Sequence, residues 1–127
     1  MGYRRYHAIL VTGSYNHEKF IVPAREYALK VCKGFLVSEL IESCWNAVTS
    51  FFIAPDGSKE GWEESDTGDA TREAMIAYLL SCRYEDGSSP LAWVEIQYGD
   101  DNRDTRVIRS SDHAKISSIG VPARRED

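Results

Sequence analysis

The chain has 127 residues, 43% of them hydrophobic and 28% charged, and its formal net charge is −5. This is the composition of one soluble globular domain, and no apolar run approaches the ~20 residues of a membrane span. Residues 34–102 carry fourteen acidic and three basic side chains, an imbalance that argues against direct nucleic-acid binding, which needs a basic face.

The first two elements are a strand and a helix. Residues 6–12 are apolar on both alternating sides, which predicts a central strand with two covered faces. A polar break follows, and residues 20–33 then show a helical repeat. The apolar stripe of that helix consists of Ala24, Tyr27, Ala28 and Val31.

The next stretch predicts a hairpin. Residues 35–42 and 48–54 are short apolar runs rich in branched side chains, joined by a segment that places Trp45 at the turn. Pro55-Asp56-Gly57 ends the second run with turn-forming residues.

A second helix is predicted over residues 70–81, where alanines recur at helical spacing. Thr67 or Asp69 is placed to cap its amino terminus, and the carboxylates before it favour the helix dipole.

The last two strands are predicted over residues 91–98, which alternate clearly, and residues 105–109, which pair back after a turn. The order β-α-β-β-α-β plus an extra carboxyl-terminal edge strand predicts an α+β fold of ferredoxin-like type. We expect an antiparallel sheet with two helices on one face over residues 3–110, and a polar, partly disordered tail over residues 111–127. The other sheet face needs a cover, which predicts a homo-oligomer.

Three cysteines occur, at positions 32, 44 and 82, with gaps that match no zinc-ligand spacing. The amino-terminal sequence has no apolar signal-peptide core. We therefore predict a cytoplasmic protein with reduced thiols, no metal and no other cofactor, and no contact with a membrane.

Residues 55–69 are the most unusual surface, with six acidic side chains, one basic one and a tryptophan. An aromatic side chain within a charged rim is typical of a binding hot spot, although a solvated loop is the alternative. The candidate binding residues, taken with the hairpin turn, are Trp45, Asn46, Asp56, Lys59, Glu60, Trp62, Glu63, Glu64 and Asp66.

An alternative ligand site lies after the first strand. Ser14 and Tyr15 stand between a strand and a helix, where backbone amides can hold an anion. Arg103 and Arg109 share a parity along the last strand and could complete a phosphate clamp, or simply protect a sheet edge. No combination of residues predicts a catalytic group.

Three segments, residues 3–9, 54–62 and 93–100, resemble small proteins encoded by phages and prophages. The resemblance implies an accessory protein that acts inside an infected bacterium, where interference with host defence is a common role. The topology and residues 9–15 are also similar to phage enzymes that degrade S-adenosylmethionine. Those enzymes use a glutamate where this chain has Asn46, Ala47 and Val48.

The sequence thus predicts a non-enzymatic, phage-type protein of the host cytoplasm that binds and blocks a host protein or sequesters a small ligand. The alternative is a small enzyme or sensor that acts on a nucleotide-like ligand, such as S-adenosylmethionine, at a subunit interface.

Overall fold

The computed structural model describes residues 5–13, 18–32, 34, 36–58, 63–99 and 104–112. Its elements in chain order are β1 (Tyr6–Gly13), α1 (Glu18–Val31), β2 (Ile41–Glu42), β3 (Thr49–Ile53), α2 (Glu63–Ser81), β4 (Leu91–Tyr98) and β5 (Arg106–Ser110).

The five strands form one sheet in the order β2-β3-β1-β4-β5, and every neighbouring pair is antiparallel. Strand β1 is central, with Ile9 opposite Ile53 on one side and Glu95 on the other. The α+β fold is confirmed, and the order of elements fits a ferredoxin-like arrangement with β5 as the extra edge strand. Within the described ranges, no helix is long and apolar enough to cross a membrane.

Helix α2 is longer than predicted, because it begins at Glu63 rather than at residue 70. Its first turn carries Glu63, Glu64 and Asp66, and carboxylates at this position are stabilised by the positive end of the helix dipole. The predicted caps Thr67 and Asp69 therefore lie inside the helix, and that prediction was wrong.

The first hairpin strand is shorter than predicted. Regular pairing is confined to β2, and a single isolated bridge joins Val37 to Ile53. Between them, the hydroxyl of Ser38 accepts a 3.0 Å hydrogen bond from the Phe52 amide. A side-chain acceptor has replaced a backbone carbonyl there, which interrupts the regular ladder.

The core lies between the sheet and the two helices. Its buried side chains include Ile9, Val11, Ile21, Ala28, Phe51, Met75, Ile76, Leu79 and Trp93. The opposite face of the sheet carries large apolar side chains that are 40–50% exposed, namely Leu10 (45%), Phe52 (40%) and Val107 (49%). The alternation predicted for β4 is confirmed, and its buried side includes the polar residues Glu95 and Gln97, each 2% exposed.

The predicted carboxyl-terminal tail falls largely outside the described residues. Its first residue, Ser111, accepts a 3.2 Å hydrogen bond from the Trp93 amide through its hydroxyl. Residues 113–127 lie beyond the described ranges, so the tail stays a prediction.

Candidate functional site

A cavity of about 580 Å³ lies between the end of α1, the first half of α2 and the sheet. Its apolar lining comes from Ile9, Val31, Leu36, Ile53 and Ala54. Its polar lining includes Asp56, Ser58, Glu64, Thr67, Thr71 and Arg72. Small-molecule sites in proteins have about this size and this mixture of an apolar base with a few polar groups.

Asp56 is held at the cavity by the turn that follows β3. Its Oδ1 atom accepts hydrogen bonds from the amide of Ser58 at 2.9 Å and from the Ser58 hydroxyl at 2.7 Å. Gly57 has a φ of +78°, a conformation that favours glycine, so the chain can turn sharply there. The turn therefore fixes the direction of the Asp56 carboxylate.

Gly68 allows the Asp56 turn to approach α2 closely. A Cβ atom at position 68 would lie 2.5 Å from Oδ2 of Asp56 and 3.3 Å from Nη1 of Arg72. A side chain at this position would thus displace both polar groups. Glycine costs about 1 kcal/mol relative to alanine inside a helix. Here, the absence of a side chain at Gly68 leaves room for the Asp56 carboxylate and the Arg72 guanidinium at the cavity wall.

A buried charge network continues from the cavity wall to β5. Glu95 accepts a 2.6 Å hydrogen bond from Nε of Arg109, whose Nη1 contacts Glu73 at 2.7 Å. Nε of Arg72 lies 3.8 Å from Glu95, and Arg72 also pairs with Asp69. The hydrogen bond that Arg109 donates to Glu95 raises the pKa of Arg109 above its usual value despite partial burial. The network fastens the edge strand and β4 to helix α2.

Partial burial favours the neutral form of two of the three thiols. Cys32 lines the cavity, and burial raises its pKa above the ordinary value. Burial likewise raises the pKa of Cys82, whereas Cys44 is exposed. In the described part of the chain, no three His, Cys, Asp or Glu residues come together as a metal site.

Trp45 stands at the tip of the β2–β3 turn, as predicted, and is 78% exposed. The Ser43 hydroxyl donates a 2.7 Å hydrogen bond to the Trp45 carbonyl. Asn46 (φ +60°) and Ala47 (φ +53°) follow in the left-handed region, which is strained for alanine. The turn thus presents a large aromatic side chain to solvent.

Apart from Trp45 and Asn46 at the turn, the predicted site residues divide into three groups. Asp56 and Glu64 line the cavity, and Glu63 and Asp66 are exposed in the first turn of α2. Arg109 is engaged by two carboxylates. The remaining predicted residues lie outside the described ranges: Ser14, Tyr15, Lys59, Glu60, Trp62 and Arg103.

Sequence reasoning missed Gly68, Thr71, Arg72 and the buried Glu95. Glu95 had a signal in the sequence, since it shares the parity of Leu91 and Trp93 in an alternating strand. No protein-family model matches this chain, and neither the curated proteins nor the solved structures provide a match. What the cavity binds is therefore inferred from the residues that line it.

Proposed function

We propose that the protein binds a small, partly apolar molecule in the cavity between α1, α2 and the sheet, and that it sequesters or senses this molecule without turnover. The observation that carries the proposal is the cavity itself. Its volume of about 580 Å³ falls in the range of small-molecule sites, and its apolar base can bury the body of a ligand. Burial of apolar surface would supply most of the affinity.

The proposal is for binding because two of the reactive groups at the cavity, Cys32 and Arg72, are unsuited to turnover. Cys32 is a neutral thiol, since burial raises its pKa, and the thiolate is the nucleophilic form. The guanidinium of Arg72 is already held by Asp69 and Glu95. Neither group is poised to attack a substrate or to stabilise a developing charge.

The test is a thermal-shift screen of the purified chain against nucleosides, S-adenosylmethionine and small amines. A ligand that binds only the folded state raises the melting temperature by mass action. Thr71→Phe places a ring in the cavity and should abolish the shift. Ala77→Phe adds the same ring at an exposed position of α2 and should preserve it. A shift that survives in Thr71→Phe, or no shift with any compound, would contradict the proposal.

A second candidate function is the binding of a host protein through the exposed turn at Trp45. A tryptophan that is 78% exposed is a suitable anchor, because aromatic side chains dominate binding hot spots. In the phage-type setting, the partner would be a defence protein in the bacterial cytoplasm, and the acidic first turn of α2 would steer basic partners. Trp45→Ala should then weaken the complex at least about tenfold without changing the melting temperature. An unchanged affinity would remove this role.

We also propose that a second copy of the chain covers the open face of the sheet. The described positions of β1, β3 and β4 on that face carry no charge, and Leu10 and Phe52 are the most exposed of its large side chains on β1 and β3. Because this face is apolar and uncharged, it can pack against the same face of a second copy that is related to it by a two-fold axis. Leu10→Asp should convert the assembly to monomers, as measured by native mass. A wild-type monomer would refute the proposal.

A further inference from the structure

Building on the proposed function, we infer that the cavity takes an organic cation, meaning a protonated amine or amidine attached to an apolar body. Among the described residues of its lining, two carry carboxylates, Asp56 and Glu64, one carries a guanidinium, Arg72, and one carries an ionisable imidazole, His7. The two carboxylates and the guanidinium carry the formal charges from which the charge of the ligand is inferred.

Both carboxylates are available to a ligand. Oδ1 of Asp56 accepts two hydrogen bonds from Ser58, while Oδ2 lies above Gly68 at the cavity wall. Within the described part of the chain, neither Asp56 nor Glu64 forms an ion pair. A cationic group could therefore contact them without breaking an existing salt bridge.

The guanidinium of Arg72 is not available in the same way. Its side chain is 12% exposed and is paired with Asp69 and with the buried Glu95. An anionic ligand would compete with Asp69 and Glu95 for the charge of Arg72, and drawing Arg72 away from the buried Glu95 would be costly. The cavity thus discriminates against anions.

The helix dipole does not reverse this preference. The amino terminus of α2 contributes the equivalent of about half a positive charge. Its first turn carries three carboxylates, on Glu63, Glu64 and Asp66, which outweigh that partial charge. The potential at this end of the cavity is negative.

The apolar base explains why the cation should carry an apolar body. Ile9, Val31 and Ile53 line the interior, so a small hydrated cation would gain little by entering. A ring or alkyl chain would bury apolar surface there and displace water from the rim. With less water present, the attraction between the cation and the carboxylates becomes stronger.

The experiment compares ligands that share an aromatic body and differ in the polar group at its end, which is a cation, a neutral hydroxyl or an anion. Titration calorimetry of the full chain at pH 7 would use 3-phenylpropylamine, 3-phenylpropanol and 3-phenylpropanoate, followed by tryptamine, tryptophol and indole-3-acetate. We expect each amine to bind about tenfold more tightly than its alcohol, which corresponds to a difference of about 1.4 kcal/mol in the free energy of binding. Each anion should bind most weakly of its set of three.

Two matched pairs of variants test the carboxylates. Asp56→Asn and Glu64→Gln should each reduce the preference for the amine by about threefold, which corresponds to a partly exposed ion pair. Asp86→Asn is the control for the first variant, since Asp86 forms the same hydrogen bonds to Ser88 in a second Asp-Gly-Ser turn. Glu26→Gln is the control for the second, since Glu26 is an exposed glutamate of helix α1 that does not line the cavity. Both controls should leave the preference unchanged.

The outcomes separate this inference from the proposed function. Alcohols or anions that bind as tightly as amines, with binding lost in Thr71→Phe, would overturn the inference and leave the cavity as a binding site. Equal losses in the control variants would also overturn it. If none of the six compounds binds, the inference fails, and the broader thermal-shift screen decides separately whether the cavity binds anything.

Discussion

Replacement of Arg109 by glutamine tests the buried charge network most directly. The side chain of Glu95 is 3% exposed and receives a 2.6 Å hydrogen bond from Arg109, whereas Arg72 is 3.8 Å away. Removing one partner of a fully buried ion pair costs about 3–5 kcal/mol. Because one third of the Arg109 side chain is exposed and Arg72 still faces Glu95, we expect Arg109→Gln to lower the free energy of unfolding by about 2 kcal/mol.

A double-mutant cycle isolates the contribution of the pair. Glu95→Gln removes the buried charge instead of leaving it without Arg109, so its cost should be about 1 kcal/mol, the net value of one hydrogen bond. The loss in free energy of unfolding of the double variant should be smaller than the sum of the two single losses. The difference should exceed about 0.5 kcal/mol, because the effects of independent sites add to within that limit. Urea unfolding at pH 7, followed by far-ultraviolet circular dichroism, measures all four free energies.

Arg106→Gln is the matched control, because it makes the same substitution on the same strand. The side chain of Arg106 is 59% exposed and lies 3.5 Å from Asp104. Its loss should change the free energy of unfolding by less than about 0.5 kcal/mol, as for exposed ion pairs. Equal losses for Arg106→Gln and Arg109→Gln, or simple additivity in the cycle, would show that the network does not hold β5 to α2.

Three further predictions follow from the cavity and the thiols. Gly68→Ala should raise the free energy of unfolding by about 0.5 kcal/mol, because alanine favours the helix by about 1 kcal/mol and displacement of the Asp56 carboxylate from Ser58 offsets about half of this gain. The displaced carboxylate should weaken ligand binding in titrations, and a destabilised variant would show that the turn holds Asp56 too firmly for this offset. At pH 8, a thiol reagent should label Cys44 first and Cys32 and Cys82 slowly, and equal rates would contradict their burial. The free energy of unfolding should fall as the pH rises above about 9, because the pKa values of Cys32 and Cys82 are raised in the folded chain and these thiols therefore ionise first in the unfolded chain. A Cys32→Ala, Cys82→Ala variant should show a smaller fall in its urea midpoint over the same pH range.

The parts of the fold that were predicted correctly are those with a clear periodic pattern between turn signals. Strand β4 has its predicted bounds because apolar and polar residues alternate from Leu91 to Tyr98. The start of α2 was placed seven residues too late, since its first two turns are acidic and lack the apolar repeat on which the prediction depended. The carboxylates of those turns interact favourably with the helix dipole, and the turns extend a helix whose nucleus the packed residues after them provide.

The candidate site was only partly predictable for a related reason. The acidic segment includes Asp56 and Glu64, which the structure places in the lining of the cavity. The sequence of this segment did not indicate that Val31 and Arg72 would line the same cavity. Val31 comes from the end of α1 and Arg72 lies two turns into α2, and only tertiary packing brings them close to Asp56 and Glu64. Trp45, which was grouped with the acidic segment, does not line the cavity, so the predicted single surface becomes two candidate sites.

Arg72 connects the stability of the sheet edge to the charge of the ligand. The same guanidinium borders the cavity and faces Glu95, which in turn holds Arg109 on β5. A cation that binds Asp56 leaves this chain of contacts intact, so binding and folding reinforce each other. An anion that recruits Arg72 would leave Glu95 with one partner and would loosen the contact between α2 and β5. In the proposed site, the network would thus act as a penalty against anionic ligands, even though Glu95 is not among the residues that line the cavity.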